Sequence, residues 1–113
     1  MSMPLELTRL LTLQSPVRQP DGSGGYHESW AVLGHHWARV ETRSGNTISG
    51  ETTPVTRVDY KITVRASRHG TTTRPRAGQR FLDGERSYDI NAVMEADSFG
   101  RYLICTATEE VSL

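Results

Sequence analysis

The sequence predicts an all-β fold, a small antiparallel β-barrel or sandwich of five to seven short strands with long polar loops. Three observations carry this. Residues 55–66 place Val58, Tyr60, Ile62, Val64 and Ala66 on one parity, and Arg57, Asp59, Lys61, Thr63 and Arg65 on the other. That is the pattern of a half-buried antiparallel strand. Ten glycines, five prolines and threonine runs at 52–53 and 71–73 are the vocabulary of strands and turns. No segment carries a long apolar stripe at helical spacing.

The elements follow in order. In the opening strand, Leu5 to Leu13, Leu5, Leu7, Leu11 and Leu13 share a face, Leu10 stands opposite and Arg9 interrupts. A bulge is expected near Arg9. Pro16 and Pro20 close the strand before a flexible turn at 21–25. Residues 26–42 carry Trp30 and Trp37; Gly34 and the aromatic content favour an extended path, with a strand at 36–42. Trp37 is expected in the core and Trp30 at an interface. Residues 43–54 hold one strongly apolar residue, Ile48, and two glycines, so they read as a long exposed loop. A second polar loop spans 67–75. Asp83-Gly84 between two apolar runs signals a hairpin. In the strand that follows, Tyr88, Ile90 and Ala92 point inward. A turn at 96–100 leads to a last strand with Leu103, Cys105 and Ala107 on one face.

The 113 residues and 12.6 kDa suit one domain, residues 1–113, with one modest core. Thirteen basic and thirteen acidic residues give zero formal charge. This argues against a protein held to nucleic acid or an anionic membrane by bulk charge. No apolar run approaches the roughly 20 residues of a membrane span. The first residues lack the basic and apolar regions of a signal peptide, so a cytosolic chain is expected. A single cysteine excludes an internal disulfide. Hydrophobic residues make up only 35%, a lean core for this length.

Candidate chemistry is sparse. Adjacent His35 and His36 point to opposite faces of a strand and share an ion poorly, and His27, His69 and Cys105 lie far off without ligand spacing. No metal or cofactor is expected. Cys105 sits in an apolar strand pattern, where a thiol behaves as a small hydrophobe. Asp83, Glu85 and Asp89 cluster at a hairpin tip, where charges are ordinary. No glycine loop has the context of a phosphate cradle. The sequence therefore reads as a non-enzyme. The strongest polar feature is Arg65, Arg68, Arg74, Arg76 and Arg80, five arginines in sixteen positions without an acidic residue. They suit an anionic patch on a partner or phosphate, and equally a solvated loop. Twelve of the thirteen basic residues are arginine, as interface pairs favour; a GC-rich coding sequence gives the same bias.

The order of these features resembles the small head–tail joining proteins of tailed bacteriophages, also called head-closure or stopper proteins. The residues that carry the likeness are Leu5 to Leu13, Gly24-Gly-Tyr-His-Glu-Ser-Trp30, His36-Trp-Ala-Arg-Val-Glu41, Tyr60-Lys-Ile-Thr-Val-Arg65, the hairpin from Gly78 to Ile90, and Tyr102-Leu-Ile-Cys-Thr106. Each is short and generic; their order across about 100 residues carries the weight. The resemblance implies a β-barrel subunit of a homo-oligomeric ring in the neck of a virion or phage-like particle, such as a gene transfer agent, assembled in the bacterial cytoplasm. It implies portal and adaptor proteins on the head side, tail terminator or tail tube proteins on the tail side, transient non-specific contact with packaged DNA, and no membrane. On this reading Arg43, Asn46, Ile48 and Glu51 belong to a channel-facing loop, and Trp30 with the five arginines lies at an interface. A tail-completion or tail-terminator protein is the alternative, and a free-standing β-barrel binding module comes third.

Overall fold

The computed structural model describes residues 6–48 and 55–112, with the side chains of 44–48, 55 and 112 left aside. Six strands, β1 (Arg9–Pro20), β2 (Tyr26–Ile48), β3 (Val55–Arg65), β4 (Arg80–Asp83), β5 (Arg86–Glu95) and β6 (Tyr102–Ser112), form one antiparallel sheet. The sheet closes on itself in the order β1-β2-β3-β6-β5-β4, a barrel.

The core follows the alternation read from the sequence. Leu11 and Leu13 of β1, Ile62 and Val64 of β3, Phe81 of β4, Tyr88 of β5, and Leu103 and Cys105 of β6 are fully buried, while Leu10 is half exposed. The Asp83-Gly84 signal is a tight hairpin. Asp83 pairs with Arg86, and Gly84 takes the first turn position at φ +62°. A II′ turn asks for glycine there, and its twist matches the flanking strands.

Six expectations are corrected. The strand taken to end at Pro16 and Pro20 runs on to Pro20. Beyond Gln14 it pairs, among the described residues, with β2 alone, so the missing N–H of a proline can face an open edge. The strand placed at 36–42 is instead 23 residues long. The bulge expected near Arg9 lies where Leu13 pairs with Gly34 and Gln14 with Val32, so Leu33 is the extra residue. A bulge bends a strand without ending it and reverses its inside–outside parity, so Gly34 is no break. Trp37 falls on the outer face and is 56% exposed, not core. In β5 the register shifts between Ile90 and Ala92, and Val93 rather than Ala92 packs against the core. The stretch read as a loop from Arg43 begins as strand. Ser44–Ile48 pair with Val55–Asp59, while 49–54 lie outside the described residues.

The two ends of the barrel differ. The upper end is covered by residues 66–79, where Pro75 is fully buried and Gln79 nearly so. His36 Nε2–H donates to the Thr73 carbonyl at 2.6 Å, and the His36 ring meets Phe81 edge-on. The lower end is filled by a polar cluster from five strands. Glu109 accepts from Tyr60 Oη at 3.0 Å and from Arg86 Nε and Nη2 at 2.9 and 3.1 Å. Arg86 Nη2 also donates to Tyr60 Oη at 2.9 Å. Tyr88 packs edge-on against Tyr60 at 4.9 Å, and Arg9 bridges Tyr88 Oη and Asp83. A buried carboxylate survives where its lone pairs are occupied; Glu109 is only 7% exposed.

Both ends tie stability to pH. The hydrogen bonds from Arg86 hold the Glu109 carboxyl below the usual carboxylate range, and burial holds His36 below its usual 6.5. For either group the unfolded chain binds the proton first as pH falls, so stability falls with it. The His36 contribution is complete above pH 6.5 and is lost as pH drops through its lowered pKa; that of Glu109 is complete above 4.5 and is lost lower still. Chemical denaturation at about pH 7.5, 5.5 and 4 is expected to show two successive losses, the first absent in His36→Phe. Glu109→Ala is expected to cost about 1–3 kcal/mol at neutral pH, because it leaves Tyr60 and Arg86 without their acceptor. Unchanged denaturation midpoints would contradict this account of the lower end.

Candidate interaction surface

The five arginines singled out in the sequence begin at the end of β3 and follow the chain over the upper end of the barrel. That segment is a pinned crossover. Ala66 N donates to Arg101 O, Thr71 N to Arg68 O and Arg74 N to Thr71 O. The Arg74 guanidinium donates to Ser67 O at 2.8 Å, and Arg76 N donates to Gln79 Oε1 at 2.8 Å. With its own backbone tied down, the segment holds its cations at fixed positions.

The structure splits the cluster. Arg74 and Arg76 meet His69 in one groove of about 750 Å³, with Leu33 and Val93 among its apolar walls. Arg65 lies in a second groove of about 700 Å³ with Trp37, His35 and Thr73. Arg68 is exposed at the turn between them. Arg80 turns away, donating to Gln14 Oε1 at 2.8 Å and lying 3.8 Å above the ring of Trp30. Among the described residues no carboxylate pairs with Arg65, Arg68 or Arg76. These three are wholly free for a partner, and Arg74, also without a carboxylate, keeps the N–H groups not spent on Ser67. Such unpaired guanidinium groups offer bidentate donors to carboxylate or phosphate.

Trp30 is partly covered and held beneath Arg80, while the more exposed tryptophan is Trp37, opposite Leu10 on the outer face of β1 and β2. Tyr26 and Val32 add to the exposed apolar surface of β2 at 61% and 57%. Below the parity reversal the outward series of β2 is His35, Trp37 and Arg39; above it, the series is Tyr26, Glu28, Trp30 and Val32. The sequence holds no marker for that reversal except Gly34. Of the residues assigned to a channel loop, Arg43 is an exposed strand residue, Asn46 and Ile48 continue the β2–β3 ladder, and Glu51 lies outside the described residues.

Reactive chemistry is weak in the parts described. Burial pushes the Cys105 thiol up to about 12, which leaves no useful thiolate at neutral pH. His35 and His36 point to opposite faces, His35 meeting Thr12 Oγ1 at 3.1 Å and His36 turned inward. Among the described residues no three of His, Cys, Asp and Glu gather as metal ligands.

A barrel of this kind with two fixed, partly basic grooves and an apolar outer strip is built for contact with other macromolecules. The comparisons with known proteins agree in kind. A solved chain described as part of the "Virion of native gene transfer agent (GTA) particle" is 43% identical, with a TM-score of 0.87, the match covering 97% of this chain and 100% of that one. No curated protein matches significantly. The sequence profile of the phage head completion proteins matches residues 3–110, and the chain belongs to that family.

Proposed function

We propose that this chain is a structural connector, forming a ring between the portal or adaptor end of a DNA-filled capsid and the tail. In that position it closes the DNA channel and presents the surface on which the tail docks. The observation that carries this reading is the combination of the family with a closely similar chain, end to end, from a gene transfer agent virion.

The physical character of the chain supports it. A core drawn from 35% hydrophobic residues suits a subunit that completes its burial against neighbours. The molecule extends 57 × 35 × 23 Å, and its radius of gyration of 15.9 Å exceeds the roughly 13 Å of a compact chain this long. One source of that length is the lower ribbon, where among the described residues Thr42–Ile48 pair only with β3. In the proposed role this ribbon, with Arg43, Asn46 and Ile48 on it and Glu51 beyond, reaches toward the axial channel. Zero net charge suits a channel component that restrains DNA yet lets it pass, since a strongly basic lumen would hold it.

Two outcomes are expected. Heads assembled with a chain lacking residues 44–53 should lose packaged DNA before tails attach, read as nuclease-sensitive DNA; retention equal to wild type would exclude a gating role for the ribbon. Replacing Arg74 and Arg76 with alanine should reduce ring assembly or tail attachment by at least about tenfold, the loss of about 1.4 kcal/mol or more per contact set. A matched thermal unfolding midpoint separates this from loss of the Arg74–Ser67 bond. Normal assembly and attachment would remove the two arginines from the interface.

A further inference from the structure

The two sides of β2 are used unequally. β1 covers one side from Tyr26 to Ala38, but β3 pairs with the other only from Ala38 onward. Among the described residues no strand pairs with the β3-side edge from Tyr26 to Trp37. In an antiparallel ladder every second residue turns its N–H and C=O away from the neighbouring strand, so this edge offers a row of backbone donors and acceptors. An open edge of such length is a template for an added strand, and proteins commonly blunt it with proline or charge. The β1 half of the ribbon carries Pro16 and Pro20; β2 carries no proline at all.

A groove lies where β3 leaves this edge. His36 and Trp37, from opposite faces of β2, line it together with Ala66, Ser67 and Arg65. Leu7 and Thr73 also line it, so the groove lies at the lower end of this edge, between β2 and the crossover. Along the outer face above it, Val32 and Trp37 are more than half exposed, flanking the bulge. The titratable and charged groups at the groove are Arg65, His35 and His36, with Arg68 next along the chain; Glu28 lies higher on the ribbon, opposite Arg18.

We propose that the free edge of β2, from Tyr26 to Trp37, accepts an extended segment of another particle protein as an added strand. The segment lays apolar side chains beside Val32 and Trp37 and sets a carboxylate against Arg65. Backbone hydrogen bonds supply most of the affinity in such strand addition, and the alternate side chains supply the choice of partner. The charge argument selects an acidic segment, because a basic one would meet Arg65 and Arg68 without compensation. Only the source of the strand rests on the role proposed above.

Three measurements test this. A photoreactive benzoylphenylalanine at Val32, irradiated in assembled particles, should cross-link to an extended acidic segment of a different particle protein. Cross-linking to a second copy of this chain, or none, would overturn the proposal. Glu28→Pro and Ser29→Pro form the second test. Of two adjacent residues, one directs its N–H to β1 and the other to the open edge, so one variant should fold with an unchanged thermal midpoint yet lose its partner at least tenfold. Two well-folded variants with full partner attachment would count against the edge. The third needs no particle. A synthetic ten-residue peptide alternating valine with glutamate and threonine should slow amide exchange at alternate residues of 26–36 at least tenfold, less so for Arg65→Glu and for a lysine version of the peptide. Absent or charge-independent protection would overturn the edge assignment even if the chain is shown to sit in the neck. Absence of the chain from purified particles would remove the neck role and leave this third result to decide the edge.

Discussion

Closure of the sheet depends on its shortest member. β4 has four residues, Arg80 to Asp83, yet it is the one link between β1 and β5, through three pairs on one side and four on the other. So few ladder bonds give a weak seam, and the side chains placed around it compensate. Phe81 inserts into the core with no exposure. Arg80 reaches across to Gln14 and Trp30, and Asp83 holds Arg9. Every side chain of β4 except Leu82 is thus tied to another element. Removing the Phe81 ring would cost about 3–5 kcal/mol in cavity and lost contacts, and here that loss falls on the seam itself. The Arg86–Glu109–Tyr60 cluster has the same purpose one strand further round, joining β5 to β6 and β3 where the short hairpin ends.

A seam this short also determines what is left open. The longer strands overrun it at both ends, β1 and β2 above and β2, β3 and β6 below. Among the described residues the overhangs of β1 and β2 above, and of β2 and β6 below, have a neighbour on one side only, while β3 runs between β2 and β6. The barrel thus carries ribbons with unpaired edges as a direct result of closing through four residues. In an isolated protein such edges invite aggregation. In the ring subunit proposed above they would serve as contact surfaces, and the low share of apolar residues in the chain fits a burial deferred to neighbours.

Much of this was legible in the residues, and the reasons for the rest are specific. The 55–66 alternation and the Leu103-Cys105-Ala107 series identified the two most regular strands, because strict period two has no other reading for that length. The same series carried to Glu109 would have placed a carboxylate inside the barrel, and Arg86 shares the parity of Tyr88 and Ile90. Neither stands out in the sequence, because a lone charge at a strand end reads as solvent-facing. Trp37 could not be placed from sequence. Its side depends on counting from the far side of the Leu33 bulge, and the bulge depends on pairing with β1. The basic segment was visible as composition, but its division into two grooves with Arg80 withdrawn follows from the crossover, which local pattern does not encode. The ladder between Ser44 and Ile48 likewise exists only because β3 lies alongside to receive it.

The neutrality of the chain is a sum of two unlike parts. Arg9, Arg39, Arg57, Arg86 and Arg101 are each paired with a carboxylate, and four of these pairs sit on or beside strand ladders. Those charges cancel locally and serve the fold. The arginines of 65–80 sit apart from them on the crossover at the upper end, where none of the five pairs with a carboxylate among the described residues. With screening over about 8 Å at physiological ionic strength, a zero net charge gives no long-range pull on DNA or on a partner. The upper end acts only on what is already in contact with it. In the connector role proposed above, selectivity would reside in the spacing of a few guanidinium groups and an open strand edge, with the molecule as a whole electrically silent toward passing DNA.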